Sequence, residues 1–458
     1  MTAAERTKAS MYMTGLCLLL GGVWLVVPHP LLVIVLCFAP LGILFVLNQT
    51  FWFVSLFVLF SFFRIHEALP ALYSLKIPLL LSLGALSALL WHSLISRQLT
   101  TYWHTSFTWL TLFWLLVVIG AVLSSNPGLA ITYFKNIYWK IIVMTLAIAW
   151  LVNSEQSVKK IATLIILAGL LIACVALYNS ANGIGIVEGS RVTIGRQLGS
   201  VLGDPNDLSL VLMFPLAFAI SFAVTKGIGV SRVIGFACLV LAMAAVIATQ
   251  SRGGLLGSIA VFGIFGLRII KSKTLLMLIA TIGLLALFAM AGISDRQSGG
   301  AAEEGIDASA MGRLYAWEAA FKMALDNPLT GVGLNNFYAN YFFYSPHWDG
   351  LNHAVHSTWF GVLAETGFLG LIVFIGIIAS LIKTSRETLR LLDKHGKDAS
   401  PYLLATALAV YAGVIGTIVS GTFLTQGFTW PIYILAALCI ALSRITQKYS
   451  QFEKSEES

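Results

Sequence analysis

Two histidines, His353 and His356, stand three residues apart at the start of the stretch HAVHSTWFGVLAETGFLG, just ahead of a long apolar run. Imidazole, with an unperturbed pKa near 6.5, is the side chain best suited to abstract a proton at neutral pH. A second set of residues offers complementary chemistry. Arg252 lies in the tight junction TQSRGG between two apolar runs, and Arg313 opens the stretch GRLYAWEAA. Arg191 and Arg196 share a polar loop with five glycines between positions 183 and 199. Arginine suits phosphate because its planar fork stays charged and donates paired hydrogen bonds. A base beside several arginines would serve transfer from a diphosphate. Plainer readings compete. A single arginine also serves as a surface charge or a headgroup contact, and His347, His353 and His356 also read as loop histidines. A metal pair is the weaker reading, because HxxH without a Cys or carboxylate at ligand spacing is a poor ligand set.

The stretch GDPNDLSLVLMFP, 203–215, places Asn206 or Asp207 as the N-cap of the apolar run that follows. Capping accounts for these residues without any function, and Asn206 is also a candidate substrate contact. Helix phase then separates the residues after His356. On a straight helix Glu365 lies ~180° from the histidine and ~13 Å deeper, while Gly367 returns to its face with Gly370 close by. This predicts a smooth glycine strip beneath His356, open to a helix or a lipid chain, with Gly367 as a substrate contact. A buried acid such as Glu365 needs a partner, which the phase puts on another helix.

The elements that must hold these residues are membrane helices. Charged residues make up 10% of the 458-residue chain and the mean hydropathy is +0.88. Soluble domains carry about 25% charged residues. Fourteen apolar runs lie between 11 and 443, one of them short (51–64), which predicts an all-α polytopic membrane protein with 12 to 14 spans. No removable signal peptide is evident. With the N-terminus inside and strict alternation, 18 of the 28 Lys and Arg fall on the inner side. That bias puts both termini in the cytoplasm, explains the net charge of +8 without nucleic acid, and leaves Arg191, Arg196, Arg252 and Arg313 outside. The organisation expected is N-terminal spans over 1–160, a catalytic region over 161–443, and a polar cytoplasmic tail over 444–458, disordered from Lys448. The catalytic region includes a large, partly helical outer loop at 293–356. Within that loop 298–305 reads as a flexible lead-in. A helix follows, with Ser309 as N-cap and Leu314, Trp317, Phe321 and Ala324 as its apolar stripe, and it stops at Asn327-Pro328. The five cysteines sit in apolar runs without CxxC spacing and read as packing residues.

Together the motifs resemble the O-antigen ligase superfamily. His356-Ser357, nine residues, Gly367, two residues and Gly370 are similar to that family's signature, and GDPNDLSLVLMFP, TQSRGG, GRLYAWEAA and NPLTGVGLNNF appear in matching order. The superfamily holds lipopolysaccharide O-antigen ligases, O-antigen polymerases and protein O-oligosaccharyltransferases. The resemblance is strongest over about 160–375. It implies a glycosyltransferase of the bacterial inner membrane that works at the periplasmic face without a cofactor or a required metal. The donor would be an undecaprenyl-diphosphate-linked glycan and the acceptor a hydroxyl, of lipid A-core for a ligase. It implies His356 as base and Arg252 and Arg313 as diphosphate ligands, with Arg191 and Arg196 less securely placed. His353 departs from the pattern as a second histidine. A transporter is the reading from another class, but neither repeated halves nor mid-membrane charges favour it.

Overall fold

The computed structural model describes residues 30–290, 308–396 and 399–456, with scattered positions between 11 and 25. About half of the first predicted span, 11–27, falls outside the described residues, as do Arg296 and the lead-in at 298–305. The described chain is helical throughout. Its one extended pairing is a single bridge between Val187 and Arg191.

Ten helices among the described residues are long and apolar enough to cross a membrane, and eleven if one sharply bent pair counts as a span. In chain order the helices are α1 (Pro30–Asn48), α2 (Thr50–Phe63), α3 (Ile77–Leu90), α4 (Thr105–Val122), α5 (Pro127–Leu151) and α6 (Glu155–Ala181). Then follow α7 (Pro205–Val224), α8 (Val230–Thr249), α9 (Arg252–Ile269) and α10 (Lys273–Met290). The last are α11 (Ala308–Asp326), α12 (Phe337–Tyr344), α13 (Thr358–His395), α14 (Pro401–Gly421) and α15 (Trp430–Glu456). The expectation of 12 to 14 spans refers to the whole chain, and part of it, including much of 11–27, lies outside the described residues. Phe38–Asn48 and Thr50–Phe63, from the runs at 30–47 and 51–64, are the pair that meets the span test together, bent by 77°. The polar tail expected to be disordered continues α15 as helix to Glu456.

α7 and α15 are the innermost spans, each with 83% of its apolar window buried. α7 packs on α6, α8, α9 and α14. Close approach is local: Gly254 of α9 lies against Ser209 of α7, and Gly416 of α14 against Val261 of α9. Small residues at such crossings let helix backbones meet where no hydrophobic drive exists between apolar surfaces. Helix starts are fixed by side-chain caps. Ser251 accepts from the Gly254 N–H, Ser357 from Phe360 and Ser400 from Leu403. Asp204 caps α7, accepting from the N–H groups of Asn206 (2.7 Å) and Asp207 (3.3 Å). The cap is thus two residues before Asn206 and three before Asp207, because Pro205 occupies the first helical position and has no N–H to satisfy.

α11 packs along the start of α13. Its buried face is Ala316, Ala319, Ala320, Met323 and Ala324, while Leu314 and Phe321 stay exposed. The expected stripe holds in part: Ala324 is buried and Trp317 packs inward, while Leu314 and Phe321 face outward.

Candidate active site

The ends of α6, α8 and α14 and the starts of α7, α9 and α13 meet at one face of the bundle. His356 occupies that face, half-buried and one residue ahead of the Ser357 cap. Its backbone is left-handed, with φ 44°. A non-glycine residue there carries strain of about 1–3 kcal/mol, which persists only where surrounding contacts over-determine it. Those contacts are visible. The Trp317 indole N–H donates to the Val355 carbonyl at 3.1 Å, and its ring stacks on Phe360 at 5.1 Å. Arg313 sits one helical turn before Trp317, so the same contact that fixes Val355 brings Arg313 beside His356.

The imidazole of His356 is held below its ordinary 6.5. Burial is the largest cause, the Arg313 charge adds to it, Asp204 opposes, and His353 adds a little. His356, Arg313 and the Asp204 cap therefore share one electrostatic neighbourhood. The Arg313 guanidinium lies 6.0 Å from the centre of the Phe423 ring. Phe423 in turn packs against Gly253, the residue after Arg252. The segment after α14 is tied in from the other side: Thr358 Oγ1 donates to the Leu424 carbonyl at 2.6 Å and accepts from the Gln426 N–H at 2.9 Å. Phe423 thus lies between the Arg313 guanidinium and the first turn of α9, which begins at Arg252.

The remaining candidates divide. Arg191 is 1% exposed, so it is no open phosphate ligand. Its Nε donates to the Thr249 carbonyl (2.9 Å), Nη1 to Glu188 (3.2 Å) and Nη2 to Asn206 Oδ1 (2.9 Å). Asn206 Oδ1 also accepts from Ser251 Oγ at 3.0 Å. Arg191 and Asn206 therefore pin the glycine-rich loop to the α8–α9 junction and set where Arg252 begins. Arg196 is exposed, donates to the Gly203 carbonyl at 3.2 Å and stays near the Asp204 cap.

The three histidines part company. His347 stacks on Tyr315 at 3.8 Å and lies 3.7 Å from Glu318. His353 Nε2 contacts both Asp349 oxygens at 3.0 Å, which holds the Asp349 carboxyl below its usual range. Beyond these residues an open cleft of about 670 Å³ is lined by Lys322, Asp326, Asn340, Phe343, Tyr344 and Pro346.

The glycine strip is filled by the protein itself. Gly367 breaks α13, with φ 69° and ψ −173°. A Cβ there would overlap the Pro328 carbonyl. Phe368 N–H donates to that same carbonyl at 2.8 Å, and Val332 N–H donates to the Ala364 carbonyl at 2.8 Å. Gly367 is thus closed by residues 328–332, not open to a lipid chain. The break also ends the straight-helix phase at Gly367. Glu365 finds its partners on the same loop: its carboxylate accepts from the N–H groups of Asn335 (2.7 Å) and Phe337 (3.3 Å). Sequence reasoning did not place Asp204, Trp317, Phe423 or Gln426 at the site. The GRLYAW spacing held a signal for Trp317, whereas Phe423 and Gln426 lie in an unremarkable connection.

Residues 237–375 match the family described as O-Antigen ligase. The chain thus carries a domain of the O-antigen ligase-related superfamily, whose members are membrane glycosyltransferases of the ligase or polymerase type. The matched segment holds Arg252, Arg313, His356 and Gly367, while Arg191, Arg196 and Asn206 lie before it. No curated protein matches the chain.

Proposed function

We propose that this protein transfers a glycan from undecaprenyl diphosphate to an acceptor hydroxyl at the periplasmic face of the bacterial inner membrane, acting as an O-antigen ligase on lipid A-core. The observation that supports the reading is the nearness of His356 to Arg313, with the start of α9 at Arg252 on the other side of Phe423. His356 takes the proton of the acceptor hydroxyl as its oxygen attacks the anomeric carbon. The bond from that carbon to the diphosphate oxygen breaks, and the electron pair leaves with the lipid diphosphate. One displacement inverts the anomeric centre.

Arg313 and Arg252 bind the diphosphate and stabilise the charge that grows on it, most strongly where water is partly excluded. The depressed basicity of His356 keeps it neutral, and so able to accept a proton, at neutral pH. His353, engaged with Asp349, is a neighbour of the site. The cleft beside α11 and α12 supplies aromatic, amide and charged groups suited to sugar rings.

The direct test is transfer by purified protein with lipid-linked glycan. His356→Ala is expected to lower turnover by about 10²–10⁴-fold, and His353→Ala to retain most of it. Full activity of His356→Ala removes it from the mechanism. A polymerase shares the donor chemistry, and a deletion strain separates the two roles. Loss of a ligase leaves bare lipid A-core and long lipid-linked polymer, whereas loss of a polymerase leaves core with a single repeat unit.

A further inference from the structure

A second cavity lies at the opposite end of the same helices. It measures about 620 Å³ and its walls are almost wholly apolar, formed by α7, α8, α9 and α10 through residues such as Val224, Met243, Phe262, Gly263 and Leu276. From the Asp204 and Arg252 ends to its lining is roughly 10–30 Å along the helix axes. It is therefore no part of the His356 site. Gly263 forms a bare stretch of wall, since a Cβ added there would meet nothing within 4 Å. The volume is that of a small-molecule pocket, for which about 300–1,000 Å³ is usual.

The rim is cationic. Lys226 follows Val224 by two residues, Lys271 follows the lining residue Ile270, and Lys273 starts α10 three residues before Leu276. Both Lys271 and Lys273 are exposed. Arg232 is tied to the end of α7 by its hydrogen bond to the Ala223 carbonyl at 2.8 Å. Arg268 is paired with Asp393 of α13, Nη1 to Oδ2 at 3.2 Å, so this cation is already matched. An apolar slot between spans with lysines at its mouth has the chemistry of one lipid class. Acyl chains would fit against Gly263, and a negative headgroup would be drawn to the lysines, as anionic lipid is to basic clusters beside spans.

We infer that the α7–α10 cavity is a binding site for an anionic phospholipid, with its chains along Gly263 and its phosphate at Lys271 and Lys273. The site is independent of the His356 chemistry.

The test uses full-length protein purified from nanodiscs of mixed phosphatidylglycerol and phosphatidylcholine, with retained lipid counted by native mass spectrometry. Wild type is expected to keep one phosphatidylglycerol after stepwise delipidation. Gly263→Leu, which grows into open space, and the pair Lys271→Gln with Lys273→Gln are each expected to weaken retention about tenfold. If Gly263→Leu does not fold, the lysine pair decides alone. Equal retention of phosphatidylcholine, retention of a polyprenyl lipid instead, or undiminished phosphatidylglycerol in the lysine pair would each overturn the proposal.

Discussion

Gly367 in α13 and Gly263 in α9 are both glycines within long apolar helices, yet they do opposite things. Gly367 has left-handed backbone and is closed by the Pro328 carbonyl. Gly263 is helical and faces empty space. The contrast extends to the charges around them. At the His356 end Arg191, Asn206, Glu365 and Thr358 are all matched to backbone or side-chain partners. At the other end Lys271 and Lys273 are exposed on the rim of an apolar slot. One end fixes geometry, and the other leaves room for lipid. A missing side chain is needed for either purpose, so glycine alone does not say which.

The contrast breaks most sharply at Gly367. Gly367→Ala adds a Cβ that overlaps Pro328 and forces an L side chain into φ 69°. Strain and overpacking together are expected to cost about 4 kcal/mol. The measurement is thermal unfolding in detergent together with transfer activity, and an unshifted midpoint would show that the α13 break tolerates a side chain.

A smaller effect sharpens the picture at His356. Its pKa is depressed, so the neutral base survives to lower pH than a free imidazole would, and activity falls only as pH drops through the depressed value. Arg313→Gln removes a lowering influence and should move the acid limb of the rate profile upward. Asp204→Asn keeps a capping oxygen but removes a raising influence, and should move the limb downward. Parallel shifts in the two variants would argue that another group titrates. The linked stability has the matching sign. Unfolded chain binds the proton first, so stability is lost as pH falls below 6.5 toward the folded value.

The smallest effect tests the open end. Gly263→Ala sits in a helix with free space, so it should raise stability by up to about 1 kcal/mol through helix propensity alone. A clear loss of stability would show that α9 is packed there after all.

Much of this molecule was legible in its residues. Apolar runs of about 20 residues in a chain with so few charges leave a helical membrane bundle as the only workable class, because backbone groups in lipid must bond within their own segment. The order and spacing of His356, Arg252, Arg313 and Gly367 pointed to the O-antigen ligase superfamily. Only the tertiary structure decided what each residue touches. Arg191 and Arg313 are the same residue type with the same sequence-level promise. The first is buried as a pin between Thr249, Glu188 and Asn206, while the second stands beside the candidate base. The partner of Glu365 is backbone 30 residues upstream, on the segment that packs against the start of α13. Local sequence sets period, caps and hydropathy, which act over a few residues. Burial, long-range hydrogen bonding and shared electrostatics depend on which distant segments the bundle brings together, and no spacing rule along one chain encodes that.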